Sequence, residues 1–224
     1  MSLTSPASPA NRATRQFKGL ALEERQKIRR EKLIEAGLQT YGTHGFFSVT
    51  IKDVCKEAKL TERYFYESFK RSEELFQAVY LKLIEDLQHS IVMAVTIHVP
   101  HQEQMIEAGL TTLLTSLRDD PRIARILFID AILVHELHGQ TILESMSLFE
   151  RTIFNFLDML FPNQLQNKSQ AIFIASGLNG YVTQIAMRWI STGFKYPIED
   201  VLEACKIAYT GIGKALAANN NLSE

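Results

Sequence analysis

Apolar positions recur every three or four residues along most of this chain, and no stretch alternates with the two-residue period of a strand. From about Leu22 to His44, the residues Ile28, Leu33, Ala36, Gly37, Thr40 and Tyr41 fall on one side of a helix, and Gly45 supplies its stop. A second regular stretch runs from Ser72 to about Thr96. There Leu75, Val79, Leu83, Leu87, Ile91 and Val95 recur along one stripe with Phe76, Tyr80 and Ile84 beside them, in a helix that spans roughly 40 Å. Val99-Pro100 breaks the pattern. Further helices are predicted over about Gln102–Arg118, from Pro121 to His138, and over about Thr141–Leu160, Gln164–Thr192 and Pro197–Ala217. Pro121 suits a first helical turn, and the apolar residues that follow it surround their helix, which predicts deep burial. The expected fold is all-α, with about nine helices.

Between the first two long helices lies GFFSVTIKDVCKEAKLTERYFYESFKRSEELF, residues 45–76. It reads as two short helices with very little between them. Thr50 caps the first and Asp53 sits three positions on, close to exposed backbone N–H groups. Ile51, Val54, Cys55 and Ala58 give that helix one apolar face, Lys59 and Leu60 make the turn, and Thr61 caps the second helix, whose inward residues are Phe65 and Phe69. Ser72 caps the next helix, with Glu73 and Glu74 favourably placed in its first turn. Two short helices joined so tightly are the geometry of a helix-turn-helix, whose second helix enters the DNA major groove. On that geometry Thr61, Glu62, Arg63, Tyr64, Tyr66 and Glu67 lie on or near the groove-facing side. Arg63 is the best base reader, because a guanidinium forks onto guanine O6 and N7. Lys52, Lys70 and Arg71 suit phosphate contacts, with the Thr50 and Tyr66 hydroxyls as further donors.

The same stretch resembles the DNA-binding domain of TetR-family transcriptional regulators. The parts that carry the resemblance are Gly45-Phe46, Thr50 to Thr61, Tyr66-Glu67-Ser68-Phe69, and Arg71-Ser72-Glu73-Glu74-Leu75. The chain departs from the family pattern at the turn, where Lys59 replaces a glycine; positive φ there costs a residue with a side chain roughly 1 kcal/mol. Cys55 stands for a small alanine, and Arg63 and Tyr64 replace the glycine and hydroxyl residue common early in the recognition helix. The resemblance implies dimerisation through the last two helices and, most often, repression.

Composition changes this picture little. At 224 residues the chain is long enough for a sizeable core, and its net charge of −1 gives no hint of nucleic acid, so DNA binding rests on a local basic patch. Arg25, Lys27, Arg29, Arg30 and Lys32 decorate the first helix and are expected to point at the DNA backbone. Met1 to Gly19 is rich in Ser, Pro, Ala and Thr, carries Arg12, Arg15 and Lys18, and reads as a disordered basic arm, either a solvated tail or a minor-groove contact. The two cysteines, Cys55 and Cys205, fall among apolar neighbours, as free buried thiols in a reducing cytoplasm do. No apolar run is long enough to span a membrane. His135-Glu136-Leu137-His138 lacks the spacing of a zinc helix, and His98 and His101 flank a proline, so neither a metal nor a cofactor is expected. No nucleophile elbow or paired Glu-x-x-His motif is present, and no catalytic residue is expected.

The expected organisation is an arm over residues 1–19, a helix-turn-helix domain over 20–69 with its recognition helix at about 61–68, a ligand-binding and dimerisation domain over 70–217, and a tail over 218–224. Phe128, His135, Met146, Phe149, Asn179 and Gln184 are apolar or polar mid-helix residues that suit a pocket for an apolar or aromatic molecule, or else plain core packing. The last two helices mix small and large residues. Ala171, Ala175, Tyr181, Trp189, Ala204 and Ala208 suit close helix approach, either between two protomers or within one. The expected function is a ligand-responsive regulator, chiefly a repressor, that binds a palindromic DNA operator as a homodimer in the cytoplasm and is released by a small effector. A helical carrier of apolar ligands and a helical enzyme are the alternatives.

Overall fold

A computed structural model of the chain describes residues 9–138, 154–161 and 168–221. Among the described residues there are helices and turns and no strand. Helix α1 (Pro9–His44) is followed by a single 3-10 turn (Phe46–Ser48), then α2 (Ile51–Ala58), α3 (Glu62–Ser68) and α4 (Ser72–Thr96). Next come α5 (Gln102–Asp119) and α6 (Pro121–Ala124), which passes through a π-helical stretch (Arg125–Asp130) into α7 (Ala131–His138). A helical segment over 154–160, here α8, precedes α9 (Lys168–Ser191) and α10 (Ile198–Asn221).

Helix α1 begins well before Leu22, inside the stretch expected to be disordered. The residues after Pro9 include Ala, Arg, Gln and Leu, good helix formers, and proline is tolerated at a helix start. Residues 1–8 lie outside the described residues. Of the inward face expected for α1, Leu33, Ala36, Thr40 and Tyr41 are buried, whereas Ile28 is 44% exposed. Ile28 sits in the charged half of α1, where the helix has less to pack against. Gly37 lets α1 settle on α4, since a Cβ there would fall 2.9 Å from Val79 Cγ2.

Helix α4 is the spine. Leu75, Phe76, Val79, Tyr80, Leu83, Ile84, Leu87 and Val95 are all buried along it. Helix α5 packs along α4, α10 packs on α5, and α9 packs on α10. One apolar core therefore runs without interruption from Leu33 and Phe65 in the N-terminal helices to Leu178, Tyr209 and Leu216 in the last pair. A smaller cluster of Leu114, Trp189 and Val201 closes the α5–α9–α10 junction. No helix among the described residues is long and apolar enough to cross a membrane.

Candidate DNA-binding face and effector cavity

Local chemistry fixes the helix-turn-helix. Asp53 Oδ2 accepts from the Thr50 N–H at 2.9 Å and from its hydroxyl at 2.6 Å, and the Asp53 N–H donates to Thr50 Oγ1 at 3.3 Å. The two residues thus satisfy the first free donors of α2 reciprocally, and the Thr50 hydroxyl proton is committed to Asp53 rather than turned outward. The hydrogen bonds from Thr50 hold the exposed Asp53 carboxyl below the usual carboxylate range. Lys59 ends α2 at φ 55° and ψ 39°, in the left-handed region. Thr61 takes the N-cap position of α3 without a side-chain cap bond. At the start of α4 the cap position belongs to Arg71 rather than Ser72, and Glu74 Oε2 accepts from the Lys70 N–H at 2.8 Å.

Helix α3 is short and one-sided. Phe65 is fully buried, Phe69 at its C-cap is 3% exposed, and their rings lie 5.8 Å apart. Opposite them, Thr61, Glu62, Arg63 and Tyr66 are exposed, and Lys52, Lys70 and Arg71 flank the pair on the surface. Tyr64 departs from the expected groove-facing set. Its half-buried ring lies under the Arg29 guanidinium, 4.5 Å from the ring centroid, because α1 crosses α3 at that point. Arg29 also reaches Glu67 Oε2 at 3.3 Å, and Arg63 Nε lies 3.4 Å from Glu67 Oε1. Arg30 sits over Phe69 at 4.6 Å. Two of the cations expected to face DNA from α1 are therefore engaged in holding α3. The spacing of α1 gave no signal of this, since charge on a helix face is the same whether water or a neighbouring helix receives it.

The body holds a cavity of about 60 Å³, lined by Ile91, Gly109, Leu110, Leu113, Phe128, Phe156, Asn179, Val182, Thr183 and Tyr209. Its walls come from α4, α5, the π-helical stretch, α8, α9 and α10, so every long helix of the body contributes. The polar atoms are few. Thr183 Oγ1 lies 3.4 Å from Asn179 Oδ1, and burial raises the Tyr209 phenol above its usual range. Of the expected ligand residues, Phe128 and Asn179 line this cavity, whereas Gln184 is exposed on the outer side of α9. Gln184 and Asn179 are five positions apart on one helix, which is too far around the turn to share a face. The His135 side chain, Met146 and Phe149 lie outside the described residues. Among the described residues no group of three or more His, Cys, Asp or Glu is placed to hold a metal. Cys55 and Cys205 are free and buried; burial raises both thiols, that of Cys205 to about 11.

Ala171, Ala175 and Trp189, expected at an interface, are buried inside this one chain. Small residues pack equally well within a chain and between chains, so composition alone could not choose. Ala204 and Ala208 are half-buried, and Tyr181, 42% exposed, donates its hydroxyl to Ala204 O at 3.1 Å and so links α9 to α10. The outer face of the pair is set by other residues. Ile172, Phe173 and Ile207 are 58%, 77% and 69% exposed, and the space above Gly177, Gly180 and Gly211 is open.

Residues 33–79 match the model of the bacterial regulatory proteins of the tetR family. Over 69 residues the chain is 30% identical to the HTH-type transcriptional regulator BetI of Agrobacterium fabrum, an alignment that covers 31% of this chain and only 34% of that relative. Similarity in fold extends much further. A transcriptional regulator from a Rhodococcus species superposes with a TM-score of 0.69 at 18% identity, covering 83% of this chain and 96% of that one. The transcriptional regulator FadR from Bacillus subtilis, in complex with stearoyl-CoA, gives 0.65 at 11% identity over 80% and 96%. The capped, tightly turned helix pair lies inside the residues that match the tetR family model, and the helical body behind it shares the fold of these two solved structures.

Proposed function

We propose that this chain is a ligand-responsive transcriptional repressor of the cytoplasm, which binds a palindromic DNA operator as a homodimer and is released by a small apolar or aromatic effector. The observation that carries this reading is α3. Phe65 and Phe69 anchor it to the core while Thr61, Glu62, Arg63 and Tyr66 stay in solvent, so its polar edge is available to a groove. Arg63 reads bases, and Lys52, Lys70 and Arg71 neutralise phosphates on either side. Two copies of α3 about 34–36 Å apart meet successive major grooves, which requires a second copy of the chain. The exposed Ile172, Phe173 and Ile207 on α9 and α10 form the surface for that copy, with Gly177, Gly180 and Gly211 permitting close approach.

The apolar cavity supports the effector. At about 60 Å³ it is small, so a bulky occupant favours a conformation in which these helices stand further apart. An effector that prefers that conformation lowers DNA affinity by its differential binding to the two states. The stearoyl-CoA complex of the Bacillus subtilis relative supports an acyl chain as one such occupant. A selection of duplexes from a genomic fragment pool, followed by anisotropy titration at two salt concentrations, tests the DNA half. Saturable, salt-sensitive binding with a sequence preference is expected. Binding that treats all fragments alike would sink it.

A further inference from the structure

The only buried carboxylate among the described residues is Asp130, 5% exposed, and it lies in the body rather than in the helix-turn-helix. Its Oδ2 accepts from the Phe46 N–H at 2.9 Å, across 84 positions of sequence. Phe46 opens the loop that leads into α2, and its ring packs on Tyr41 at 5.4 Å and on Phe76 of α4 at 5.0 Å. The preceding residue is Gly45 at φ 85°; a Cβ there would fall 3.1 Å from an Arg125 guanidinium nitrogen and 3.9 Å from both Asp130 oxygens. Slightly earlier in α1, Arg122 donates to Gln39 Oε1, and a Cβ at Gly42 would fall 2.4 Å from the Cβ of Arg122. The stretch from Arg122 to Asp130 is thus seated against the end of α1 and the start of the loop. Burial raises the Asp130 carboxyl, while the Phe46 N–H and Arg125 act in the opposite sense.

The same stretch is a wall of the cavity. Phe128 lines it, two residues before Asp130. Residues two apart on a helix point to nearly opposite sides, so one helix presents Phe128 to the cavity and Asp130 to the loop before α2. The backbone between them is π-helical, a form that occurs mostly as single-turn bulges and frequently at functional sites. We propose that Asp130 is the positioning residue that ties the DNA-reading module to the cavity wall, so that an occupant displacing Phe128 is felt at Phe46 and thence at α2 and α3. This rests on the reading of the chain as a ligand-responsive DNA-binding regulator.

A double-mutant cycle on the full chain tests it without a known effector. Leu113→Trp fills the cavity in place of a ligand; if its melting curve shows that it does not fold, Leu110→Phe is the smaller filler. Two quantities are read: affinity for the best duplex recovered from a random-sequence pool, and the resonance and exchange rate of the Phe46 amide in protein labelled at phenylalanine nitrogen. In the otherwise unchanged chain, and in Asp130→Asn, which keeps an acceptor, the filler is expected to weaken DNA binding about tenfold and to shift the Phe46 amide. In Asp130→Ala the filler is expected to change affinity by less than about twofold and to leave that amide unmoved. Equal losses with and without the carboxylate, or no effect of the filler in the unchanged chain, would overturn the proposal. If no duplex is enriched at all, the DNA-binding reading fails instead, and the Phe46 amide still decides whether cavity and loop are linked.

Discussion

Helix α3 and the α9–α10 pair both leave a broad face in solvent, and the two faces are built in opposite ways. The outer face of α3 is polar and charged, while its inner face is two phenylalanines. The outer face of the pair carries Ile172, Phe173 and Ile207 above open glycines, and its inner face is filled by Ala171, Ala175, Trp189 and Cys205. A polar face costs nothing while it waits for a partner and gains charge-assisted contacts when a phosphate backbone arrives. An apolar face is unfavourable in water until it is covered, so it suits a partner that stays. On the function proposed above, the contrast is that between a surface for a reversible partner and one for a permanent partner.

The contrast can be broken at its anchors. Phe65→Ala removes the fully buried ring on which a seven-residue helix depends, and is expected to cost about 3–5 kcal/mol in urea denaturation, with loss of DNA binding. Tyr66→Ala, one position on but exposed, is expected to change stability by less than about 0.5 kcal/mol. Similar losses for the two would mean that α3 is not one-sided. On the other face, Phe173→Asp would be present twice in the proposed symmetric interface and is expected to raise the dissociation constant of that dimer about a hundredfold in sedimentation, with the far-ultraviolet spectrum intact. A dimer of unchanged affinity would remove that face from consideration.

Smaller effects sharpen the polar side. Arg63→Ala is expected to cost about 1–3 kcal/mol on the preferred duplex and little on others, whereas Lys70→Ala weakens all duplexes alike and reduces the salt slope by about one. Equal losses across sequences for both would contradict these roles. Asp53→Asn is expected to lower the melting temperature at neutral pH. The Asp53 carboxyl is held below its unfolded value, so its contribution is present above that value and is lost as pH falls through the folded one. The wild type and the variant should therefore converge on acidification, and a gap that persists in acid would place the effect elsewhere. Lys59→Gly relieves the left-handed backbone at φ 55° and is expected to stabilise by less than about 1 kcal/mol in the same denaturation assay.

Much of the N-terminal module was legible because its signals are local. Thr50 and Asp53 lie three residues apart and pair as that spacing predicts, Lys59 takes the left-handed turn, and α4 spans Ser72–Thr96. The body was less legible. Apolar residues surround the stretch after Pro121, so periodicity gives no phase and did not reveal the π-helical stretch. Asp130, a lone acid in that apolar run, is the one signal the sequence offers there. Asn179 and Gln184 looked alike in sequence, yet one lines the cavity and the other faces water.

The sequence by itself determined the two short helices and the extent of α4, where the short pair turns, and that Phe65 and Phe69 point inward, because capping, turn geometry and period depend on residues within a few positions of one another. Only the tertiary structure decided that Arg29 would cover Tyr64, that Trp189 would be buried within one chain, and that Asp130 would hold the Phe46 N–H. Those outcomes depend on which helices meet and at what rotation about their axes. That is settled by the packing of the whole core, to which each residue contributes too little to be read alone.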